Sequence, residues 1–214
     1  MLTGPDFREE HVLDDGTRVT LRHIRPADAA ELKRGFDRLS PESRYRRFLG
    51  SFSTLSDETL RYLTCVDGRD HVAIVAVTRT PDTDAEVGLG IARFIRTRDD
   101  PKAAEAALTV VDDMQGKGLG HVLAIALGRA AIERGITHFR GEVLTDNGPV
   151  RQLLDEVGAV VRPVEGGSIV FDVDLGPNET PAVSNRLEML ARRFLRASSS
   201  YLVGLIRGLG PPKH

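Results

Sequence analysis

"VVDDMQGKGLGHVLAIAL" (residues 110–127) is the stretch whose reading decides the fold. Val110 and Val111 close an apolar, β-branched run, and Leu119, Val122, Leu123, Ala126 and Leu127 then recur at helical spacing. Between the two stand Gly116, Gly118 and Gly120, more glycine than a simple turn needs. A strand that ends in such a bend and opens a helix turns several backbone N–H groups to one point, backed by the partial positive charge of the helix N-terminus. That arrangement suits a phosphate or diphosphate: a Cβ would obstruct an oxygen, and some positions need positive φ. The alternative is a tight turn that binds nothing. Two common phosphate loops do not fit. Lys117 is followed by Gly118 and Leu119 rather than by Ser or Thr, and the glycines are spaced Gly-x-Gly-x-Gly in mid-chain rather than Gly-x-Gly-x-x-Gly after an early strand.

Working outward, Val19 and Leu21 alternate with polar residues in a strand over 17–25, after an Asp15-Gly16 turn. Pro26 suits a first helical turn, and Leu32, Phe36 and Leu39 share one face behind it. Ser40-Pro41 opens a second helix carrying Tyr45, Phe48 and Leu49, and Ser56 caps a third through Leu60 and Leu63. Residues 71–79 read as a buried strand, 85–96 as a strand weakened by Gly88 and Gly90, and 103–112 as a strand despite its alanines, because Leu108-Thr109-Val110-Val111 follows. The helix after the bend stops at Arg134-Gly135. A strand over 137–144, a helix opened by Asp146-Asn147 with Val150, Leu153, Leu154 and Val157 inward, and a strand pair over 159–164 and 168–175 complete the domain. That order predicts a mixed α/β fold, not a doubly wound one.

The chain has 214 residues, a formal charge of −2 and 41% hydrophobic residues. It is long enough for one domain with an appendage, and the charge gives no reason to expect nucleic acid as partner. Cys65 is the single cysteine, which excludes an intrachain disulfide and speaks against a metal site; it reads as a small core residue. The acidic N-terminus lacks an apolar run, and no stretch reaches membrane-spanning length, so a cytoplasmic location is expected.

Gln115-Gly116-Lys117-Gly118-Leu119-Gly120 matches the Gln/Arg-x-x-Gly-x-Gly/Ala loop of the GNAT N-acetyltransferase superfamily, and the resemblance runs over residues 12–175. "LRHIRPADAAEL", "RLSPESRYRRF", "LSDETLRYLTCVD" and "VVDDMQGKGLG" together resemble the catalytic domain of bacterial protein lysine acetyltransferases of the Pat type. The resemblance implies a mixed, mostly antiparallel sheet flanked by helices. It implies acetyl-CoA as cosubstrate and no metal. Leu108, Thr109 and Val110 would pair with the pantetheine arm. Main-chain amides of Gln115, Gly116, Lys117, Gly118, Leu119 and Gly120 would hold the diphosphate. Asn147 would lie near the thiol end; from the residues alone it reads more readily as a helix cap, and the resemblance implies both roles. The acceptor implied is a protein lysine, with small amines open.

Acetyl transfer needs a neutral amine. A lysine with pKa ~10.4 is neutral about once in a thousand at pH 7, roughly 4 kcal/mol uphill, so a base must take its proton. Glu105 is the candidate: a carboxylate among alanines on the strand entering the loop, where desolvation would raise its pKa. The resemblance assigns it that role; the alternative is a solvent-facing strand residue. Many family members carry a tyrosine acid where this chain has Leu154, which leaves the acid unassigned. Arg44, Arg46 and Arg47 form a basic cluster that reads as a solvated helix face or as a contact for an acidic protein substrate or the cofactor's 3′-phosphate.

Residues 176–184 read as a linker, and 185–210 as a basic amphipathic helical extension. Residues 182–214 hold six basic side chains and one acidic one, Glu188. Such a helix can lie on an anionic membrane, associate with a partner or copy, or fold back on its own domain. A non-catalytic acyl-CoA sensor acting through this tail is the competing functional expectation.

Overall fold

A computed structural model describes residues 4, 6–41, 54–80, 82–145, 159–164 and 167–176. Its strands are β1 (Arg8–Val12), β2 (Arg18–His23), β3 (His71–Arg79), β4 (Glu86–Arg96), β5 (Ala103–Val110), β6 (His138–Leu144), β7 (Val160–Val164) and β8 (Ser168–Asp174). Its helices are α1 (Ala29–Asp37), α2 (Asp57–Thr64) and α3 (Leu119–Ile132). The expected helices carrying Tyr45 and Val150, the Arg44/Arg46/Arg47 cluster, Asn147, Leu154 and the extension over 185–210 lie outside the described residues.

The strands form one sheet in the order β1-β2-β3-β4-β5-β6-β8-β7. Every neighbouring pair is antiparallel except β5 and β6, which run parallel. β3 is buried from His71 to Val77 because both its faces are covered. Val72, Ile74 and Ala76 pack with Leu119, Leu123 and Leu127 of α3 on one side. Ala73, Val75 and Val77 meet Ile24 and Leu32 on the other, where α1 and α2 also join Phe36 to Leu60. Ser56 caps α2 by accepting from the Thr59 N–H at 3.1 Å.

The alanines of β5 favour a helix only weakly, by a few tenths of a kcal/mol each, and sheet pairing on a buried surface overrides that. Ala103, Ala104 and Ala107 are all buried. Two departures from the sequence reading stand out. β1 pairs along β2, so the sheet begins at Arg8, ahead of residue 12. Cys65 is exposed at the end of α2 rather than in the core, because the chain leaves the helix there in a non-helical conformation.

Two irregularities shape the region around the bend. Ala76 pairs with Gly90 and Val77 with Gly88, so Leu89 is an extra residue bulged out of β4. A Cβ at Gly90 would stand 2.9 Å from Leu123 Cδ1 and 3.0 Å from the Thr109 carbonyl oxygen, so the glycine there answers a close approach rather than marking a weak strand. Further along, β5 pairs with β4 as far as Val110, but with β6 only at Ala103, Ala104 and Glu105. Beyond Glu105 the two parallel strands part, and the chain turns through a 3-10 turn (Asp112–Met114) into the bend.

Candidate active site

The bend is built from backbone. Gly118 is the residue before α3 and has φ +85°; Gly116 has φ +74°. Both lie in the left-handed region that side chains resist. No side chain caps the helix at Gly118. Among the described residues, no protein acceptor takes a hydrogen bond from the N–H of Gly116, Lys117, Gly118, Leu119 or Gly120. Five unspent donors at the start of a 14-residue helix are an anion site in chemical terms. Gln115 braces it: its side-chain amide donates to the Val110 carbonyl at 3.3 Å and to Asp112 Oδ1 at 3.1 Å, and its N–H donates to the Asp112 carbonyl at 3.3 Å. Lys117 does not reach into the bend. Its ammonium pairs with Asp15 at 3.0 Å, and its carbonyl accepts from Asp14 N–H at 3.4 Å.

The parted strands supply a second feature. The Lys102 carbonyl accepts from Thr137 on the β6 side, whereas Val111 N–H donates to Leu89 on the β4 side. Main-chain groups alternate along a strand, so the groups facing β6 belong to Ala104, Ala106, Leu108 and Val110; the Glu105–Arg140 rung takes up the Ala106 N–H, and Leu108 and Val110 turn theirs towards the cleft beyond it. Thr109 turns its own towards β4, opposite Ile91, and its side chain lines the far face of the sheet. Of the three residues named from sequence, Leu108 and Val110 present backbone to the cleft and Thr109 does not.

Glu105 is the last paired residue of β5, with Ile95 opposite on β4 and Arg140 opposite on β6. It is half-buried, and burial pushes its carboxyl above the ordinary range, with the nearby Arg140 charge opposing and Asp99 and Glu142 reinforcing. Its side chain lies on the face opposite α3, beside buried Arg93, which contacts His71 Nε2 at 3.1 Å and donates to the Leu63 carbonyl at 3.1 Å. The His71 ring lies tilted against that of Tyr62, with centroids 5.3 Å apart, and burial also pushes the Tyr62 hydroxyl up. Along the same face runs a pocket of about 120 Å³ between α1, α2 and the bulged strand. Apolar Ile24, Leu32, Phe36 and Leu63 line it, with Arg22 held at its edge. Arg22 is 3% exposed and grips Asp28 with two bonds of 2.8 Å and Glu86 at 2.7 Å. Nothing in the sequence spacing announced that cluster. No group of three or more potential metal ligands is found among the described residues.

The cleft, the bend and the carboxyl thus lie along one strand: uncommitted backbone donors at its end, a parted edge before them, and half-buried Glu105 where the parting begins. The acetyltransferase (GNAT) domain family matches residues 18–160. Acetyltransferase Pat of Mycolicibacterium smegmatis is 34% identical over 185 residues, covering 84% of this chain and 54% of that protein; the chain therefore spans about half the length of that relative. Acetyltransferase PA5475 of Pseudomonas aeruginosa is 32% identical over 148 residues, covering 69% of this chain and 78% of that protein. The solved GNAT domain of S. lividans PAT superposes with a TM-score of 0.69 at 28% identity, covering 78% of this chain and 97% of that domain.

Proposed function

The chain belongs to the GNAT acetyltransferase family, and on that premise we propose that it transfers acetyl from acetyl-CoA directly to a lysine side chain of a protein, with Glu105 as general base. GNAT acetyltransferases use acetyl-CoA as cosubstrate, which brings an acetyl group on a thioester already activated towards an amine. The observation that carries the reading is the set of five uncommitted amides from Gly116 to Gly120 at the mouth of a parted strand pair. These amides fit a diphosphate, and the cleft-facing backbone of Leu108, with the Val110 N–H, fits an extended amide-bearing arm. Backbone donors at the cleft also suit the negative charge that develops on a carbonyl under attack.

Glu105 carries out the proton transfer in this reading. An incoming ammonium must lose a proton before it can attack, and a half-buried carboxyl with raised proton affinity is matched to take it at neutral pH. The apolar pocket beside α1 suits the methylene stem of a lysine, and its nearness to the bulge at Leu89 supports entry of the acceptor from that face. The resemblance of the four sequence segments to protein lysine acetyltransferases of the Pat type supports a protein acceptor over a free small amine. We also assign residues 8–175 to the catalytic unit, its start moved ahead of residue 12 to include β1, with 176–184 as a linker and 185–210 as a separate extension, and place the protein in the cytoplasm.

The test is thiol release from acetyl-CoA with a panel of lysine-containing proteins and peptides, beside calorimetry of acetyl-CoA binding. Acetylated lysine in a protein acceptor supports the proposal. Turnover with free polyamines or amino acids alone would overturn the acceptor, and absence of binding would overturn the site.

A further inference from the structure

Glu105 and Arg140 face one another at the last rung of the β5–β6 ladder, on the same side of the sheet. An arginine so placed would ordinarily pair with the carboxylate. Here, among the described residues, no hydrogen bond or ion pair joins them. The guanidinium is spent elsewhere: Nε donates to Asp172 Oδ1 at 2.9 Å, and Nη1 to Asp99 Oδ2 at 3.2 Å. Asp172 comes from β8, directly opposite Arg140 in the register, and Asp99 from the β4–β5 connection. Asp172 is itself fixed, since Arg162 Nη2 donates to its other oxygen at 2.7 Å. Its side chain is 15% exposed, so the anchor is well screened from water.

We infer that Asp172 and Asp99 are positioning residues that clamp the Arg140 guanidinium away from Glu105, leaving the carboxylate unpaired and therefore basic enough to accept the acceptor's proton. The inference rests on Glu105 being the base. It adds a reason why a cross-strand arginine can sit beside a base without disabling it. A carboxylate in a direct ion pair is a poor proton acceptor near neutral pH, because the neighbouring positive charge stabilises its ionised form. Sequestering that charge in a second pair keeps the local fold neutralised and the base available. Among the described residues, the charged and titratable groups around Glu105 are Arg93 from β4, Arg140 and Glu142 from β6, Asp99 from the β4–β5 connection and Tyr62 from α2. Among these the clamped arginine is the group whose reorientation would change Glu105 most directly.

The experiment is a set of pH profiles of kcat/KM on the full chain for wild type, Asp172→Asn, the Asp99→Asn/Asp172→Asn double variant, Arg140→Gln, and the triple variant combining all three. Releasing the guanidinium in the double variant should let it pair with Glu105, moving the acid limb down by about one pH unit and lowering the plateau rate. Adding Arg140→Gln should return the limb to the wild-type position or above. A limb that stays low in the triple variant would mean that the lost aspartate charges act by themselves, and the clamp falls. A limb unmoved throughout, with only melting temperature reduced, assigns the cluster to stability and also sinks the inference. Glu105→Gln separates this from failure of the underlying reading: if that variant keeps rate and limb, the base is another group. Should a variant lose turnover, the Glu105 carboxyl can be titrated by 13C NMR in glutamate-labelled protein, with Glu105→Gln assigning the resonance. The same direction of shift is expected there.

Discussion

The ammonium of Lys117 lies 3.0 Å from Asp15, so the one charged side chain of the glycine bend is turned onto the β1–β2 hairpin and not into the anion site. Thr17, and then Lys117, hold the Asp15 carboxyl at about 2, so the pair persists across the working pH range. If amides and helix dipole do the binding, Lys117→Ala should change the acetyl-CoA dissociation constant by no more than about threefold, as expected for an exposed ion pair. Calorimetry decides; a loss beyond about tenfold would mean that the lysine swings to the phosphates.

Gly116 and Gly118 make different demands. Alanine at Gly116 meets nothing within 4 Å and costs only the positive φ, roughly 1–2 kcal/mol. Alanine at Gly118 costs the same and also brings Cβ to 3.0 Å from Asp14 Oδ2. Melting temperatures should fall in the order wild type, Gly116→Ala, Gly118→Ala. Both variants should bind acetyl-CoA more weakly, because a strained bend misdirects its amides. Asp14→Ala should recover part of the Gly118→Ala loss; no recovery would place the strain elsewhere.

Glu105→Gln should lower kcat/KM at neutral pH by about 10²–10⁴-fold, the range for loss of a general base, while acetyl-CoA affinity is unchanged. The same change should raise the melting temperature at pH 7. Burial lifts the Glu105 carboxyl in the folded chain, so its contribution to stability is intact at low pH and is lost as pH rises through the folded value. Removing the titration removes that loss. The stability gain should therefore vanish at acid pH, and a gain independent of pH would argue for a packing effect instead.

His71 points the other way in pH. Burial, with the Arg93 charge adding to it, pushes its pKa down to about 4 from the usual 6.5. The unfolded chain takes up this proton first, so stability present above pH 6.5 drains as pH falls towards 4, with a slope of at most about 1.4 kcal/mol per pH unit. His71→Gln keeps an acceptor for Arg93 and should flatten denaturant-derived stability between those pH values. An unaltered slope would assign the acid loss to other groups.

The sequence made the bend legible because its glycines do a local job: positive φ and open backbone are properties of a few consecutive residues. β5 was readable for a similar reason, through the β-branched end of the run. What escaped was non-local. Glu86 is far from Arg22 and Asp28 in the chain, and the three meet only where β2, the start of α1 and β4 converge. Arg93 sits in a strand where a charged residue suggests solvent, yet it is 2% exposed, because α2 closes over it with a backbone carbonyl. β1 carries Arg8, Glu9 and Glu10 with no apolar alternation, as an edge strand with little to bury can. The cross-strand neighbour of Glu105 depends on strand order, which no spacing in the chain encodes.

The short ladder between β5 and β6 leaves a parted border inside a continuous sheet. Such a border ordinarily invites an intruding strand. A cosubstrate whose arm lines that border would act as the missing stitch as well as the reactant, and by mass action would stabilise the folded chain in proportion to the logarithm of its concentration. Resistance to proteolysis would then track the acetyl-CoA supply, making the enzyme's lifetime as well as its rate a readout of that metabolite.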